Sequence, residues 1–218
     1  MDGVLIDTVL LHWRAYNVIL NSDYGVSVKD SQLASLVGMS LPEQIPVLNK
    51  MLSISIEALN FIQKADKLKE TYMNNLAPKA GVVQLLTDLK KHGILMAVGT
   101  SSSEIAANQR LKQVGIDHFF ELIVGEEHVA NHKPDPEVYL TCAKLLGVES
   151  PACVVIEDAL NGLMAAQAAG IASVGVQTSY VNSSTLAEQA NLVVDSLEEV
   201  NFMVLDSTNK NYNEGKHK

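Results

Sequence analysis

Residues 82–103 read VVQLLTDLKKHGILMAVGTSSS, and the order of their patterns decides the fold. Apolar residues at Val82, Leu85, Leu86 and Leu89 fall on one face of a helix spanning Val82–His92. Gly93 stops that helix, because glycine takes the left-handed conformation that closes a helix end. Ile94–Val98 is a short apolar run between Gly93 and Gly99, the pattern of a strand covered on both faces. Thr100–Ser103 then open onto another helix. The same unit recurs downstream. Helices over Glu104–Val114, Pro136–Leu146 and Leu160–Ala169 end at Gly115, Gly147 and Gly170. Strands are expected over Glu121–Val124, Cys153–Ile156, Ala172–Val176 and Asn191–Val194. Strands alternating with helices of this length imply βαβ units, hence an α/β fold built on a parallel sheet.

Upstream the pattern changes. From Leu10 to Leu76 there is no convincing strand, and Leu10–Leu20, Ser31–Val37, Pro42–Met51 and Ile56–Asn75 all read as helices. Asp30 and Ser55 are placed to cap two of them. An all-helical block ahead of an α/β domain implies a lid, so residues 9–77 are expected to form a helical cap. Residues 1–8 and 78–206 would form the α/β core, with Pro78 and Gly81 marking the return to it. The polar stretch 207–218 is expected to be a flexible tail.

Composition narrows the function. The chain has 218 residues and a formal net charge of −9, which argues against binding nucleic acid or an anionic membrane through a broad basic surface. Its apolar runs are too short to cross a bilayer, and its start, with Asp2 and Asp7 and no basic segment, does not read as a secretory signal. Two cysteines, Cys142 and Cys153, make neither a zinc site nor a disulfide framework, and point to a reducing, cytoplasmic setting. The chain is expected to act as a monomer on a small molecule.

In open parallel sheets ligands bind at the carboxyl ends of the strands. Four segments fall there: Asp2-Gly3-Val4-Leu5-Ile6-Asp7-Thr8, Thr100–Ser103, Lys133 in His132-Lys133-Pro134-Asp135-Pro136, and Glu157-Asp158. Hydroxyls and backbone N–H groups at the opening of a helix suit an anion. Adjacent carboxylates suit a hard cation such as Mg²⁺. Each segment alone has a blander reading, as an N-cap, a surface turn, a solvated acidic turn or a frayed end. Together they place acids, a lysine and hydroxyls at consecutive strand ends.

These motifs, in this order, resemble the haloacid dehalogenase superfamily, in the branch of β-phosphoglucomutases and related sugar-phosphate phosphatases. Asp2–Thr8 is similar to the second half of the first motif, Asp-x-Asp-Gly-x-x-x-Asp-[Ser/Thr]. Thr100 fits the second motif, Lys133-Pro134-Asp135-Pro136 the third and Glu157-Asp158-Ala159-x-x-Gly162 the fourth. The likeness implies a Rossmann-like core with an inserted helical cap. It also implies an aspartyl-phosphate mechanism. In that mechanism Asp2 is the general acid/base and Lys133 neutralises phosphate charge. Thr100 and Ser101 hold phosphate, and Asp2 (through its carbonyl), Glu157 and Asp158 hold Mg²⁺.

One departure stands out. The family nucleophile lies two residues before Asp2, and the apolar strand leading to it would precede Met1. Either Met1 is the internal residue of an Asp-Met-Asp-Gly motif, or the chain is a shortened, inactive paralogue. As written, the chain is expected to be inactive. In the cap, His12-Trp13-Arg14-Ala15-Tyr16 resembles a β-phosphoglucomutase segment, which makes His12 a candidate substrate contact. Leu41 stands where mutases of that type carry an arginine for a second phosphate, and Lys67 or Lys69 could substitute. The loss favours a phosphatase of small phosphorylated sugars or polyols over a phosphosugar mutase. A non-catalytic phospho-ligand binder is the alternative from another class.

Overall fold

The computed structural model describes residues 1–29, 32, 36, 39, 41–73, 76–179, 181 and 183–215. The chain opens with a turn. Gly3, at φ 74°, lets residues 1–6 fold back so that the Gly3 N–H reaches the Ile6 carbonyl at 2.8 Å. Ile6 is fully buried and forms a bridge with Pro78, which brings the start of the chain beside the segment that follows the helical block.

That block contains α1 (Val9–Tyr24), α2 (Leu41–Leu52) and α3 (Ala58–Met73). Trp13, Tyr16, Ile19 and Leu20 line the inner face of α1 and share one apolar cluster with Ile45, Leu48, Phe61 and Ala65. Tyr16 stands edge-on to Trp13, with centroids 5.1 Å apart, and touches Phe61 at 5.8 Å. Leu163, Val181 and Leu186 from the α/β part join the same cluster, so the helices are seated on that part by apolar burial. The expected helix over Ser31–Val37 and its cap Asp30 lie outside the described residues, apart from Gln32 and Leu36. Ser55 does not cap α3. The helix starts later, and the Glu57 carboxylate accepts from the N–H groups of Leu59 and Asn60. Ile56 is buried and its N–H is taken by Asn49, which holds the preceding residues extended.

The α/β part follows as α4 (Val82–Lys91), β1 (Ala97–Gly99), α5 (Glu104–Gln113), β2 (Leu122–Val124), α6 (Glu137–Leu146), β3 (Val154–Glu157), α7 (Leu160–Ala168), β4 (Ala172–Val176), α8 (Ser183–Ala187), β5 (Leu192–Val194) and α9 (Phe202–Gly215). The four periodic residues of α4 are all buried. Gly81, before it, has φ 80°, and a Cβ there would lie 2.3 Å from the Glu198 nitrogen. β4 is buried at every residue, as a central parallel strand requires.

All pairings between the named strands are parallel, and they fall into two groups. β1 pairs with β2, Val98 opposite Ile123, while β3, β4 and β5 form a second sheet in that order. Among the described residues no pairing joins β1 to β3. Between them lies a cavity of about 540 Å³, lined by β1 on one side and by Val154–Glu157 of β3 on the other, with Met1 also contributing. Ile94 and Leu95, expected to begin β1, stay outside it and are 38% and 49% exposed.

The chain's last segment corrects the expected tail. Residues 207–215 continue α9. Asn209 donates to the carbonyls of Pro151 and Cys153, and Asn213 to that of Pro151, so a polar sequence is docked by its amides rather than by an apolar face. Among the described residues no helix is long and apolar enough to cross a membrane.

Candidate active site at the strand ends

The turn after β2 carries Lys133 to the ends of β1 and β3, where Gly99 and Glu157 line the 540 Å³ cavity. Its Nζ donates to the Gly99 carbonyl at the end of β1 (3.3 Å) and to Glu157 Oε1 at the end of β3 (2.5 Å). It also stands 4.7 Å from the centroid of the Tyr139 ring, a cation–π distance. One side chain thereby ties together two strand ends that do not pair with each other. Glu157 accepts further bonds from the Tyr139 hydroxyl (2.8 Å) and from the N–H groups of Asp158 (3.0 Å) and Ala159 (3.3 Å). Burial opposes its charge, but Lys133, the N-terminal amino group and these donors outweigh that and hold its carboxyl down to about 2. The same burial and the Glu157 charge push the Tyr139 phenol well above its usual range.

A second group forms around Asp2. The Thr8 hydroxyl and Arg110 Nη1 (3.2 Å) both donate to Asp2 Oδ1. The Ser102 hydroxyl donates to Oδ2 at 3.3 Å, and Arg110 Nη1 also donates to Ser102 Oγ at 3.1 Å. Burial disfavours the Asp2 charge, yet Arg110, the N-terminus and Thr8 keep its carboxyl below the ordinary range. Thr100 is buried, and its Oγ1 accepts the Ser102 N–H at 3.1 Å, which shapes the loop leading into α5. Ser103 caps α5 through the Ala106 N–H. The hydroxyl that meets Asp2 is that of Ser102, while Ser101, expected from the sequence to contact phosphate, is exposed.

His12, on α1, faces the same region. Its Nε2 is shielded from solvent and has no hydrogen-bond partner among the described residues. Burial, with Lys69 and Arg110 nearby, pushes its pKa down to about 4 against the pull of Asp2. The imidazole is therefore neutral near pH 7. Lys69 lies over the Tyr16 ring at 5.2 Å, while Lys67 is exposed. Of the loop 36–42, residues 37, 38 and 40 lie outside the described residues.

The sequence-derived residues therefore share one end of the sheet: Asp2 with Ser102, Ser102 with Thr100, Lys133 with Glu157, and Glu157 with Asp158. Arg110 was not anticipated. An arginine in the last turn of a helix reads locally as a partner for the helix dipole, and nothing in the sequence pattern points it at Asp2.

The donors present do not make a full Mg²⁺ site. Among the described residues no three His, Cys, Asp or Glu side chains are grouped to hold a metal ion. Glu157 is engaged by an ammonium, a phenol and two backbone N–H groups.

A family model described as haloacid dehalogenase-like hydrolase matches residues 1–176. Over 202 residues the chain is 32% identical to a phosphorylated carbohydrates phosphatase of Thermotoga maritima, covering 92% of this chain and 93% of that one. It is 33% identical over 183 residues to the fructose-1-phosphate phosphatase YqaB of Escherichia coli, covering 81% and 93%. The crystal structure of a β-phosphoglucomutase from Clostridium difficile superposes with a TM-score of 0.75 at 31% identity, covering 100% of this chain and 96% of that one.

Proposed function

The chain belongs to the haloacid dehalogenase-like hydrolase family, and from that premise we propose that it hydrolyses phosphate monoesters of small sugars or polyols. The carrying observation is that Lys133, the Thr100–Ser102 loop, Arg110, Asp2 and Glu157, with Asp158 next to it in the chain, lie at the ends of the parallel strands. Relatives named as phosphatases of phosphorylated carbohydrates and of fructose 1-phosphate support the substrate class.

In this reading the nucleophile is an aspartate immediately ahead of Met1, on a strand filling the cavity between β1 and β3. The cavity is lined by Ala97 and Val98 of β1 and Val154–Ile156 of β3, and Lys133 binds Gly99 and Glu157 at the strand ends beside it, where a carboxylate and a phosphoryl group would both need a cation. The aspartate attacks phosphorus, and the bond from phosphorus to the sugar oxygen breaks. Asp2 gives that oxygen a proton. Water then attacks the aspartyl phosphate, and Asp2 takes a proton back as phosphate leaves. Mg²⁺, which neutralises phosphoryl charge when bound, would need the same aspartate to complete a set with Asp158 and the Asp2 carbonyl.

The test compares two chains on a panel of sugar and polyol phosphates with Mg²⁺. One begins at Met1; the other carries an apolar strand ending in aspartate ahead of it. The first should show no appreciable turnover and the second should release phosphate, because removing a nucleophile from a concerted set costs several orders of magnitude. Equal inactivity, with phosphate still bound, would replace the enzyme by a phospho-ligand binder. Turnover that depends on a glucose bisphosphate would replace the phosphatase by a mutase.

A further inference from the structure

Arg110, Asp2 and Ser102 form a closed triangle, with sides of 3.1 Å (Nη1 to Ser102 Oγ), 3.2 Å (Nη1 to Asp2 Oδ1) and 3.3 Å (Ser102 Oγ to Asp2 Oδ2). Arg110 belongs to the last turn of α5, where a basic residue ordinarily faces solvent and the terminal carbonyls. Here it does neither. Its side chain is only 20% exposed and runs back towards the helix N-terminus, the direction helical side chains lean. Ala107 and Leu111 of the same helix are fully buried, so the backbone beneath Arg110 is fixed. The guanidinium is thus held beside the hydroxyl loop through Ser102, whose N–H in turn donates to the Thr100 hydroxyl.

We infer that Arg110 is a phosphate-binding residue, held by Asp2 when no anion is bound and transferred to the phosphoryl oxygens when one is. The inference rests on the strand ends being a phosphate site, as proposed above, and adds a residue that the sequence motifs do not include. A guanidinium keeps its charge at all working pH values and presents several donors in one plane, so it can bond two phosphate oxygens at once. Both contacts seen here are made through the single nitrogen Nη1. Ser102 can stay in place while the arginine exchanges Asp2 for the anion. The Nε2 of His12, buried and without a partner among the described residues, is a further polar atom close enough to Asp2 and Arg110 to feel their charges.

The experiment measures inorganic phosphate binding to the full chain by titration calorimetry, in four proteins: parent, Arg110→Ala, Asp2→Asn and the double variant. Asp2→Asn removes the competing carboxylate and should tighten phosphate binding. If Arg110 touches phosphate, adding Arg110→Ala to Asp2→Asn should weaken binding about tenfold or more, the usual cost of a charge-assisted contact. Arg110→Lys in the same background should recover part of that loss. If Arg110 serves only to neutralise Asp2, the Asp2→Asn protein will bind phosphate equally with or without the arginine, and that result overturns the inference. Failure of Asp2→Asn to bind phosphate at all would overturn the phosphate-site reading itself. Circular dichroism of each variant checks that the fold is retained, and because the Arg110 comparisons are made within the Asp2→Asn background, a loss of stability common to that background would not mimic the expected pattern.

Discussion

Replacing Lys133 by methionine isolates the contact that joins the two parts of the sheet. The side chains of Lys133 and Glu157 are 10% and 8% exposed and meet at 2.5 Å. Methionine keeps the length and the apolar stem but leaves Glu157 charged and buried. Breaking a buried pair from one side costs about 3–5 kcal/mol. Against burial, the pairing with Lys133 is also the largest influence holding the Glu157 carboxyl below its ordinary 4.5, at about 2. Tyr139 and two backbone N–H groups remain, so the expected loss is about 3 kcal/mol, the lower end of the range. The sign with pH is also set. In the parent, the Glu157 contribution is present above 4.5 and is lost as pH falls from 4.5 towards 2. In Lys133→Met, burial prevails and the folded-state pKa rises, so the variant gains relative stability as pH falls. Urea unfolding should therefore show a gap of about 3 kcal/mol at pH 7 that narrows by pH 4.5, with an unchanged m value. Lys133→Met/Glu157→Gln should recover most of the loss. A gap under about 1 kcal/mol at pH 7, or one that widens in acid, would refute the assignment of Glu157 as a buried, lysine-paired carboxylate.

His12 predicts a second pH effect. Its folded value of about 4 lies below the ordinary 6.5, so the unfolded chain takes up the proton first and stability should fall between pH 6.5 and 4 by up to about 3 kcal/mol. His12→Gln should flatten that window, and parallel profiles for the two proteins would count against it. Gly162→Ala should destabilise by about 1–3 kcal/mol despite better helix propensity, because its Cβ would lie 2.2 Å from the Glu157 carboxyl, which four donors hold in place. Thermal unfolding reads this directly, and an unchanged midpoint would mean that Glu157 has room to move.

Much of this molecule was legible from local pattern. The apolar period of Val82–Leu89 identified the buried face of α4, and the run Ala172–Val176 coincides with β4 at both ends. Those features report only which residues of one element share a buried face, which the local spacing of the chain sets, so period and glycine punctuation suffice. The segments Thr100–Ser103, Lys133 and Glu157-Asp158 were also visible, because each comes after a strand, and parallel strands all end on the same side.

The partners of the long side chains were not legible. Arg110 meets Asp2 across 108 positions, and Lys133 meets Glu157 across 24. Nothing at either position announces the other. Glu157 is expected from its motif as a metal ligand, and its donors in the structure, an ammonium, a phenol and backbone N–H groups, were not announced by that motif. Asn209 and Asn213 read as a loose polar tail, yet they find the carbonyls of residues 151 and 153. The sequence by itself determined the alternation of strands and helices, the helical block before them and the end of the sheet where chemistry gathers. Tertiary structure alone decided that β1 and β3 flank a cavity and that Lys133 spans their ends. It also decided that Arg110 is the cation on Asp2. Hydrophobic period records only which face of an element is buried, whereas the target of a flexible charged side chain depends on how distant elements are placed around it.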